Sequence, residues 1–415
     1  MANDGEAAAA RLPLIASLAA GAISQAGNNF ANIAIPWYVL ATTGSAARMG
    51  IVGFVQLVPT VVSSVFGGAL VDRVGHKRIA VLADIVSGLS VAAIPLIHET
   101  IGLQFWQLLV LVFLGAMIDA PGGSARSAIF PELIEMSGTS FERANGLSGI
   151  IQDVVQLAIP PLAGISIALL GASQVLWIDA GSFFISALIY WALVPRINHV
   201  RNSSEPYWND VFAGLRFLRG SPMLFTLLVF AAFTNFLTAP LFGLALAVLA
   251  RDEFGSSRAL GWMLGALGAG SLLSLLVFSA KGHAWSRHKT IVLGFAAGFI
   301  PILIVGLANH VWLAVGALVV CGIGLGPINP IVGTVLQERT PPDMQGRVFG
   351  GVTASALVAA PLGFLIFGNV VDRFGPRATI IGIGAALTAT ALALALAPSF
   401  RDIDVRPADA ASSSS

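Results

Sequence analysis

The chain has 415 residues, of which 56% are hydrophobic and only 10% charged, whereas a soluble globular domain carries about 25% charged residues. With 22 basic and 21 acidic side chains, it is too poor in charge to cover a water-soluble body of this size. A net charge of +1 gives no bulk attraction to nucleic acid, so we expect a lipid bilayer as the main surrounding and no nucleic-acid partner.

Cysteine and histidine usage excludes several chemistries. Cys321 is the only cysteine, so no disulfide framework can form within the chain, and the sequence has no Cys/His spacing typical of a metal site. We therefore expect no metal and no cofactor. The first ten residues carry Asp4 and Glu6 but no basic residue, unlike a secretory signal, so the first apolar segment is expected to stay in the membrane.

Long apolar runs rich in Ala, Leu and Gly follow one another along the chain, and alternating ten-residue strand patterns are absent. A helix needs about 20 apolar residues to cross the hydrocarbon core. The pattern predicts an all-α membrane protein with spans at about 12–41, 48–70, 79–97, 104–125, 144–170, 174–195, 222–250, 258–280, 290–308, 311–335, 347–370 and 377–398.

All basic residues and histidines fall in predicted loops or at the ends of predicted spans, as expected where charge at bilayer depth is costly. If the N-terminus is cytoplasmic, the great majority of the Lys and Arg residues lie on the inner side, which satisfies the positive-inside rule. We predict a multi-pass protein of the plasma (inner) membrane with both termini in the cytoplasm.

The longest polar connection, residues 196–221, predicts a cytoplasmic linker between an N-terminal six-helix bundle (1–195) and a C-terminal one (222–400), with a disordered tail at 401–415. Asn29-Phe30 and Asn235-Phe236 occupy similar positions in the two halves. Paired halves with a site at their interface are a recurrent transporter plan, although chance similarity between low-complexity helices would give the same pattern.

One loop carries a family motif. The segment from Gly68 to Arg78 reads GALVDRVGHKR and lies between the second and third predicted spans. It resembles the motif between the second and third helices of major facilitator superfamily transporters, with His76 in place of the usual first basic residue. The resemblance implies two pseudo-symmetric six-helix bundles that transport by alternating access.

Further segments resemble the macrolide-efflux and siderophore-exporter branch of that superfamily: Pro131-Glu132-Leu133, Glu142 to Leu147, Trp177 to Phe183, and Asp372 to Gly375. This resemblance implies export of an amphipathic small molecule, driven by an ion gradient that is usually of protons. The fifth span departs from the branch, because Ile159 stands where glycine is expected before its proline. Import of a small solute by proton symport and a non-transporting sensor therefore remain alternatives.

The motif loop is expected to gate the protein. A carboxylate at Asp72 can accept hydrogen bonds from a neighbouring helix N-terminus, which carries partial positive charge, and the resemblance implies that Asp72 and Arg73 latch the outward-open state. Positive-inside topology alone explains Lys77 and Arg78. The predicted gating motif comprises Gly68, Asp72, Arg73, Gly75, Lys77 and Arg78.

Four carboxylates lie within predicted spans, and intramembrane ionisable groups are functional candidates by default. Asp153 is the preferred ion-coupling residue, because it lies deepest and low-dielectric surroundings favour the neutral form of a carboxylate; a hydrogen-bonded structural role is the alternative. We expect Asp84 and Asp119 to join an inner charge cluster beside Asp72, and Asp179 to support helix packing.

An amide stripe predicts part of the substrate cavity. Gln25, Asn28, Asn29 and Asn32 are spaced i, i+3, i+4 and i+7 on the first span, which places them on one helix face. Packing between helices is the alternative role for such amides. The remaining predicted cavity residues are Gln156 on the fifth span and Asn235 and Thr238 on the seventh.

Other classes of protein fit less well. An intramembrane enzyme would need buried His, Cys or paired carboxylates, and a channel would need a ring of repeated polar residues; the sequence indicates neither. The apparent absence of a buried Arg or Lys favours a substrate with a large apolar area. We expect a monomer whose partners are a small-molecule substrate and protons.

Overall fold

The computed structural model describes residues 2–196, 216–282, 285–341, 344–397, 400 and 402–404, without the side chains of 2–9, 61, 63–73, 346, 353, 356–357 and 402. Its regular elements in these ranges are all helical, which confirms the predicted all-α class. Contacts divide the chain into two compact units. The first contains residues 1–43 and 55–204, and the second contains 44–54 and 205–415.

Six helices begin the chain, and short connections at glycines with positive φ separate most of them, for instance Gly75 (φ 95°) and Gly171 (φ 89°). Such backbone favours glycine because it lacks a Cβ. The helices are α1 (Ala2–Thr43), α2 (Ala46–Val74), α3 (His76–Thr100), α4 (Phe105–Ser137), α5 (Phe141–Leu170) and α6 (Ala172–Leu193).

The first unit packs around α1, which lies against α4, α5 and α6, while α3 lies against α4 and α6. Buried side chains such as Leu14, Ile79, Leu133 and Tyr190 form a core cluster between these helices. In a membrane this packing leaves the apolar surface to lipid, which explains the exposed Leu, Val and Phe side chains on the same helices.

The second unit is also helical. Pro240 ends the first of its helices and a five-residue π-helix follows, Leu241–Ala245, because proline cannot continue the regular hydrogen-bond ladder. The remaining elements are α7 (Pro222–Pro240), α8 (Leu246–Asp252), α9 (Ser257–Lys281), α10 (Arg287–Leu307), α11 (Val311–Leu325), α12 (Ile328–Glu338), α13 (Gln345–Leu396) and a 3-10 turn (Asp402–Asp404).

Within the described ranges, nine helical segments are long and apolar enough to cross a membrane. The last two predicted spans form the single element α13, which is interrupted at Gly375 by backbone outside the helical region (φ 80°, ψ 164°). The count of twelve spans stays a prediction.

One predicted boundary is wrong in a way that matters for the site. The fourth span was expected to end at residue 125, but α4 continues to Ser137. Arg126 therefore lies inside a helix rather than at its end.

Candidate functional site

A buried ion pair joins two helices of the first unit. Arg126 Nη1 on α4 donates to Asp84 Oδ1 on α3 at 2.6 Å, and Ser186 Oγ on α6 donates to Asp84 Oδ2 at 2.7 Å. The Asp84 side chain is fully buried and that of Arg126 is 16% exposed. A buried charge of this kind needs a hydrogen-bonded partner, and Asp84 has one on each oxygen.

A second carboxylate extends this pair toward the surface. Arg126 Nη2 lies 3.7 Å from Asp119 Oδ1, and the Asp119 side chain is 30% exposed. Asn28 Nδ2 on α1 donates to Asp119 Oδ2 at 3.4 Å. The charged groups thus run from a fully buried acid, through the guanidinium, to a partly exposed acid. We call Asp84, Arg126 and Asp119 the charged triad.

Asp179 on α6 is a second buried carboxylate, with a side chain almost inaccessible to solvent. Ser182 Oγ donates to the backbone oxygen of Asp179 at 2.7 Å, and Asp179 Oδ2 has no hydrogen-bond partner in the described part of the chain. A Cβ on Gly27 would lie 1.8 Å from Ser182 Oγ and 2.5 Å from Asp179 Oδ1. A side chain at position 27 would therefore require Ser182 and Asp179 to shift where α1 crosses α6.

A hydrogen bond between α1 and α6 lies elsewhere in the same interface. Ser17 Oγ and Tyr190 OH are 3.1 Å apart, and both residues are buried. At another point of α1, Tyr38 OH lies 2.9 Å from His98 Nδ1 on α3. Polar contacts therefore tie α1 to its neighbours along much of its length.

A cleft of about 530 Å³, the polar cleft, reaches one member of the triad, Arg126. Its wall also contains amide and hydroxyl side chains from α1, α4 and α5, beside apolar side chains such as Leu18 and Phe130. The polar lining residues are Ser17, Ser24, Gln25, Asn28, Ser127, Asn145, Ser148 and Gln152. Neutral amides and hydroxyls can both donate and accept hydrogen bonds, so this surface suits water and polar groups of a ligand.

The structure brings together part of the predicted cavity. Gln25 and Asn28 line the cleft, while Asn29 is half-buried and Asn32 is exposed and accepts a hydrogen bond from Gln56 Nε2 at 2.7 Å. The amide stripe thus contributes two of its four members to this cleft. Gln156 on α5 is exposed and is not among the lining residues.

The predicted cavity residues of the second unit bond to their own helix. Asn235 Nδ2 donates to the Ala231 oxygen at 2.9 Å, and Thr238 Oγ1 donates to the Thr234 oxygen at 2.8 Å. Such local bonds occupy donors that a ligand would otherwise use. Their assignment to a cavity remains a prediction.

The ranking of the four acids changes. Asp153 is exposed on α5, whereas Asp84 and Asp179 are buried and Asp119 contacts the triad arginine. Burial and contacts with other side chains therefore set these three acids apart from Asp153, whose coupling role stays a prediction. Asp84 and Asp119 form a cluster with Arg126, and its expected neighbour Asp72 has no described side chain.

The gating motif is described only in part. Gly68, Asp72 and Arg73 lie outside the described side chains, and Gly75 ends the motif helix with φ 95° and ψ 135°. Lys77 Nζ donates to the backbone oxygens of Trp191, at 2.8 Å, and Val194. It therefore satisfies carbonyl groups at the end of α6, where helices leave such groups unpaired. Arg78 is exposed.

Sequence reasoning missed three residues in and around the buried charged groups, and six of the polar residues in the cleft wall. The sequence predicts Arg126 at a span end, but it lies inside α4 with its side chain 16% exposed, so the expectation that no Arg or Lys is buried is wrong. Ser186 and Gly27 carried no motif, because their importance depends on contacts with residues 102 and 152–155 positions away. The one available signal was the seven-residue spacing of Asp119 and Arg126, which places both on one helix face.

Among the described residues there is no group of three or more His, Cys, Asp or Glu side chains that could hold a metal ion. The side chains at the site are carboxylates, a guanidinium and neutral hydrogen-bonding groups. These can bind protons, counter-ions and polar ligand groups.

The amino-acid sequence is similar to those of known membrane transporters. Residues 17–355 match the family described as Major Facilitator Superfamily. A multidrug efflux pump, Tap, from Mycolicibacterium fortuitum is 29% identical over 401 residues, which cover 95% of this chain and 98% of the relative. Macrolide efflux protein A from Streptococcus pyogenes is 21% identical over 390 residues, which cover 93% and 96% of the two chains.

Solved structures give the same fold. The crystal structure of the nucleoside transporter NupG superposes with a TM-score of 0.77 at 13% sequence identity and covers 95% of this chain and 98% of that one. A POT family transporter superposes with a TM-score of 0.70 at 11% identity and covers 92% of this chain and 95% of that one. At such identities the likeness concerns the fold alone.

Proposed function

Because this chain belongs to the major facilitator superfamily, we propose that it exports an amphipathic small molecule across the plasma membrane by proton antiport, with both termini in the cytoplasm. The relatives named as efflux proteins align over nearly the whole chain, which supports export over import. The observation that carries the coupling proposal is the charged triad at the polar cleft.

Charge balance within the first unit is the physical reason for choosing protons. Arg126 supplies one positive charge to Asp84 and Asp119, and Asp179 adds a third carboxylate that is buried. Uncompensated charge in such surroundings is costly. A proton on one of these carboxylates removes that cost without needing a metal site.

Asp119 is the member best placed to exchange a proton with water. It is the most exposed acid of the triad, and its contacts with Arg126 (3.7 Å) and Asn28 (3.4 Å) are both long. Protonation of Asp119 would weaken its attraction to Arg126 and leave the guanidinium held by Asp84 alone. Because Asn28 lines the cleft, a change at Asp119 reaches the surface where a substrate would bind.

Arg126 also suggests a second candidate function. A guanidinium in the wall of a polar cleft could meet the carboxylate of an imported solute, in which case the protein would be a proton symporter. Arg126 is already paired with two acids of its own unit, so export remains the proposal.

Transport in inside-out membrane vesicles separates the two functions. With an acidic lumen, proton antiport should drive a lipophilic cationic dye or a macrolide into the vesicles, whereas symport would expel solute already in the lumen. Export fails as a proposal if no compound in a broad amphipathic panel accumulates although the protein is folded and correctly inserted.

Variants then locate the coupling site. Asp119→Asn is expected to abolish accumulation driven by the pH gradient while equilibrative exchange of the compound continues, because the amide cannot take up a proton. Asp153→Asn serves as the matched comparison. If Asp153→Asn removes the pH dependence and Asp119→Asn does not, the sequence-based prediction of Asp153 as the ion-coupling residue is right. Asp72→Asn tests the gating motif, since slower turnover with unchanged coupling is expected there.

A further inference from the structure

The gating motif occurs a second time in the chain. Residues 68–77 read GALVDRVGHK and residues 368–377 read GNVVDRFGPR. Glycine, valine, Asp-Arg and a second glycine recur at the same five positions, and both copies end on a basic residue, at a separation of 300. The motif therefore ends both α2 and the first half of α13.

The two copies share a backbone conformation as well as a sequence. Gly75 (φ 95°, ψ 135°) ends the first copy, and Gly375 (φ 80°, ψ 164°) interrupts α13 at the matching place. In each copy the chain leaves helical geometry three residues after the aspartate. The aspartate thus lies in the last turn of a helix in both cases.

In the second copy the aspartate side chain has a clear partner. Asp372 Oδ1 accepts from the backbone N–H of Ala46 at 2.6 Å, and Oδ2 accepts from the N–H of Ala47 at 2.9 Å and from Ser45 Oγ at 2.7 Å. These groups form the N-terminus of α2, where backbone N–H groups lack partners within the helix. A residue 325–327 positions away therefore caps α2.

The first glycine of the motif makes this capping possible. A Cβ on Gly368 would lie 2.8 Å from the Ala46 oxygen and 3.2 Å from the Cα of Gly50, and a Cβ on Gly50 would lie 2.3 Å from the Phe364 oxygen. The backbones of α2 and α13 touch here, which brings Asp372, one turn after Gly368, to the start of α2.

Residues 44–54, which include the capped turn, belong by their contacts to the second unit, whereas residues 55–74 of the same helix belong to the first. The contact with Asp372 holds the start of α2 to α13, so making or breaking it can control the position of that part of α2. We propose that Asp372 is a latch on the N-terminus of α2, made in the state that is closed on the predicted outer side and broken when that side opens.

The proposal rests on the alternating-access part of the proposed function and is independent of substrate and coupling ion. It makes the second motif copy the outer counterpart of the first, whose gating role on the inner side was inferred from resemblance. Breaking this cap requires little free energy because Asp372 is exposed. Its carboxylate is hydrated by water once it leaves the helix N-terminus.

Site-specific labelling tests the latch without transport. Asn32→Cys, in a Cys321→Ala background, provides an exposed reporter on α1, and a membrane-impermeant maleimide is added from outside to intact cells. Asp372→Ala should raise the labelling rate about fivefold. Loss of a helix N-terminal cap shifts an equilibrium by about this factor, and here the equilibrium is between the closed and the open outer side. Asn369→Ala is the matched control, since Asn369 is exposed one turn earlier and donates to the Leu365 oxygen of its own helix. The labelling rate of this variant should equal that of the parent.

A cross-link supplies the opposite perturbation. Ser45→Cys with Asp372→Cys places two thiols where the hydroxyl and carboxylate oxygens are 2.7 Å apart, and oxidation should form a disulfide that protects the reporter from outside labelling until a reductant is added. The proposal is overturned if Asp372→Ala labels at the parental rate, or if the oxidised double-cysteine protein labels as fast as the reduced one. Failure to find an exported compound would contradict the proposed function but leave these labelling results standing.

Discussion

The two units handle charge in opposite ways. In the first, Asp84, Arg126 and Asp179 lie among packed helices, with side chains that are buried or nearly so. In the described part of the second, ion pairs lie at helix ends: Arg287 with Glu338 at 2.6 Å, and Arg377 with Glu253 at 2.9 Å, with side chains 20–33% exposed. Charges at helix ends need little compensation, whereas buried charges do. The first unit therefore carries the charges whose removal should disturb packing most.

The largest expected effect comes from breaking the buried pair. Arg126→Ala leaves Asp84 buried without its cation and should lower the free energy of unfolding by about 3–5 kcal/mol. Arg287→Ala removes the comparable partly exposed pair and should cost about 0–1 kcal/mol. Thermal unfolding in detergent measures both, and equal shifts for the two variants would remove the distinction between the units.

The second prediction asks whether the Asp84 bond from Ser186 is charge-assisted. Hydrogen bonds to charged groups contribute about 1.5–3 kcal/mol, so Ser186→Ala should be destabilising by that amount. Ser355→Ala, in the second unit, loses only a local bond to the Gly351 oxygen and should change stability by about 0.5 kcal/mol or less. A neutral result for Ser186→Ala would contradict a charge-assisted bond between Ser186 and Asp84.

The third prediction concerns packing next to the buried acid. Gly27→Ala places a Cβ 1.8 Å from Ser182 Oγ, and overpacking of this kind costs about 1–3 kcal/mol. Gly21→Ala is the control on the same helix, because among the described residues no atom outside the adjoining turns of α1 lies within 4 Å of its added Cβ. If both variants melt at the same temperature, α1 and α6 are not as closely packed at Asp179 as described.

The smallest effect is expected at the end of the second unit. Burial would raise the pKa of Asp404, but hydrogen bonds from Ser286 Oγ and from the backbone N–H groups of His288 and Arg287 outweigh it and hold the pKa below its usual value. A depressed pKa means that the stabilisation is complete above the unfolded value of about 3.9 and is lost as pH falls through the folded value. Asp404→Asn should cost about 0.3–1 kcal/mol at neutral pH.

The measurement for this last variant is thermal unfolding as a function of pH. The difference between Asp404→Asn and the parent should shrink as pH falls below about 4. A difference that persists unchanged at lower pH would mean that Asp404 stabilises α10 by packing rather than by its charge.

Features that depend on neighbouring residues could be predicted from the sequence, whereas contacts between residues far apart in the chain could not. The all-α class and the series of long apolar helices follow from local composition, because each apolar run must satisfy its own backbone as a helix. The motif at 68–78 is visible in the sequence itself. The end of the fourth span was misplaced because Arg126 resembles a loop residue when its partner, 42 positions earlier, is not visible. Asp153 was preferred for its depth in the span, although depth does not determine which face of α5 it occupies.

By itself, the sequence determined that the chain lies in a bilayer, that it is helical and that charge concentrates at helix ends and in a few acids of the N-terminal half. Those properties are sums over neighbouring residues and need no knowledge of packing. Only the tertiary structure decided that Asp84 pairs with Arg126, that Gly27 makes room for Asp179 and Ser182, and that Asp372 caps α2 from 326 positions away. Each of these depends on which helix faces cross, because a buried carboxylate takes its partner from whatever the fold places within hydrogen-bonding distance.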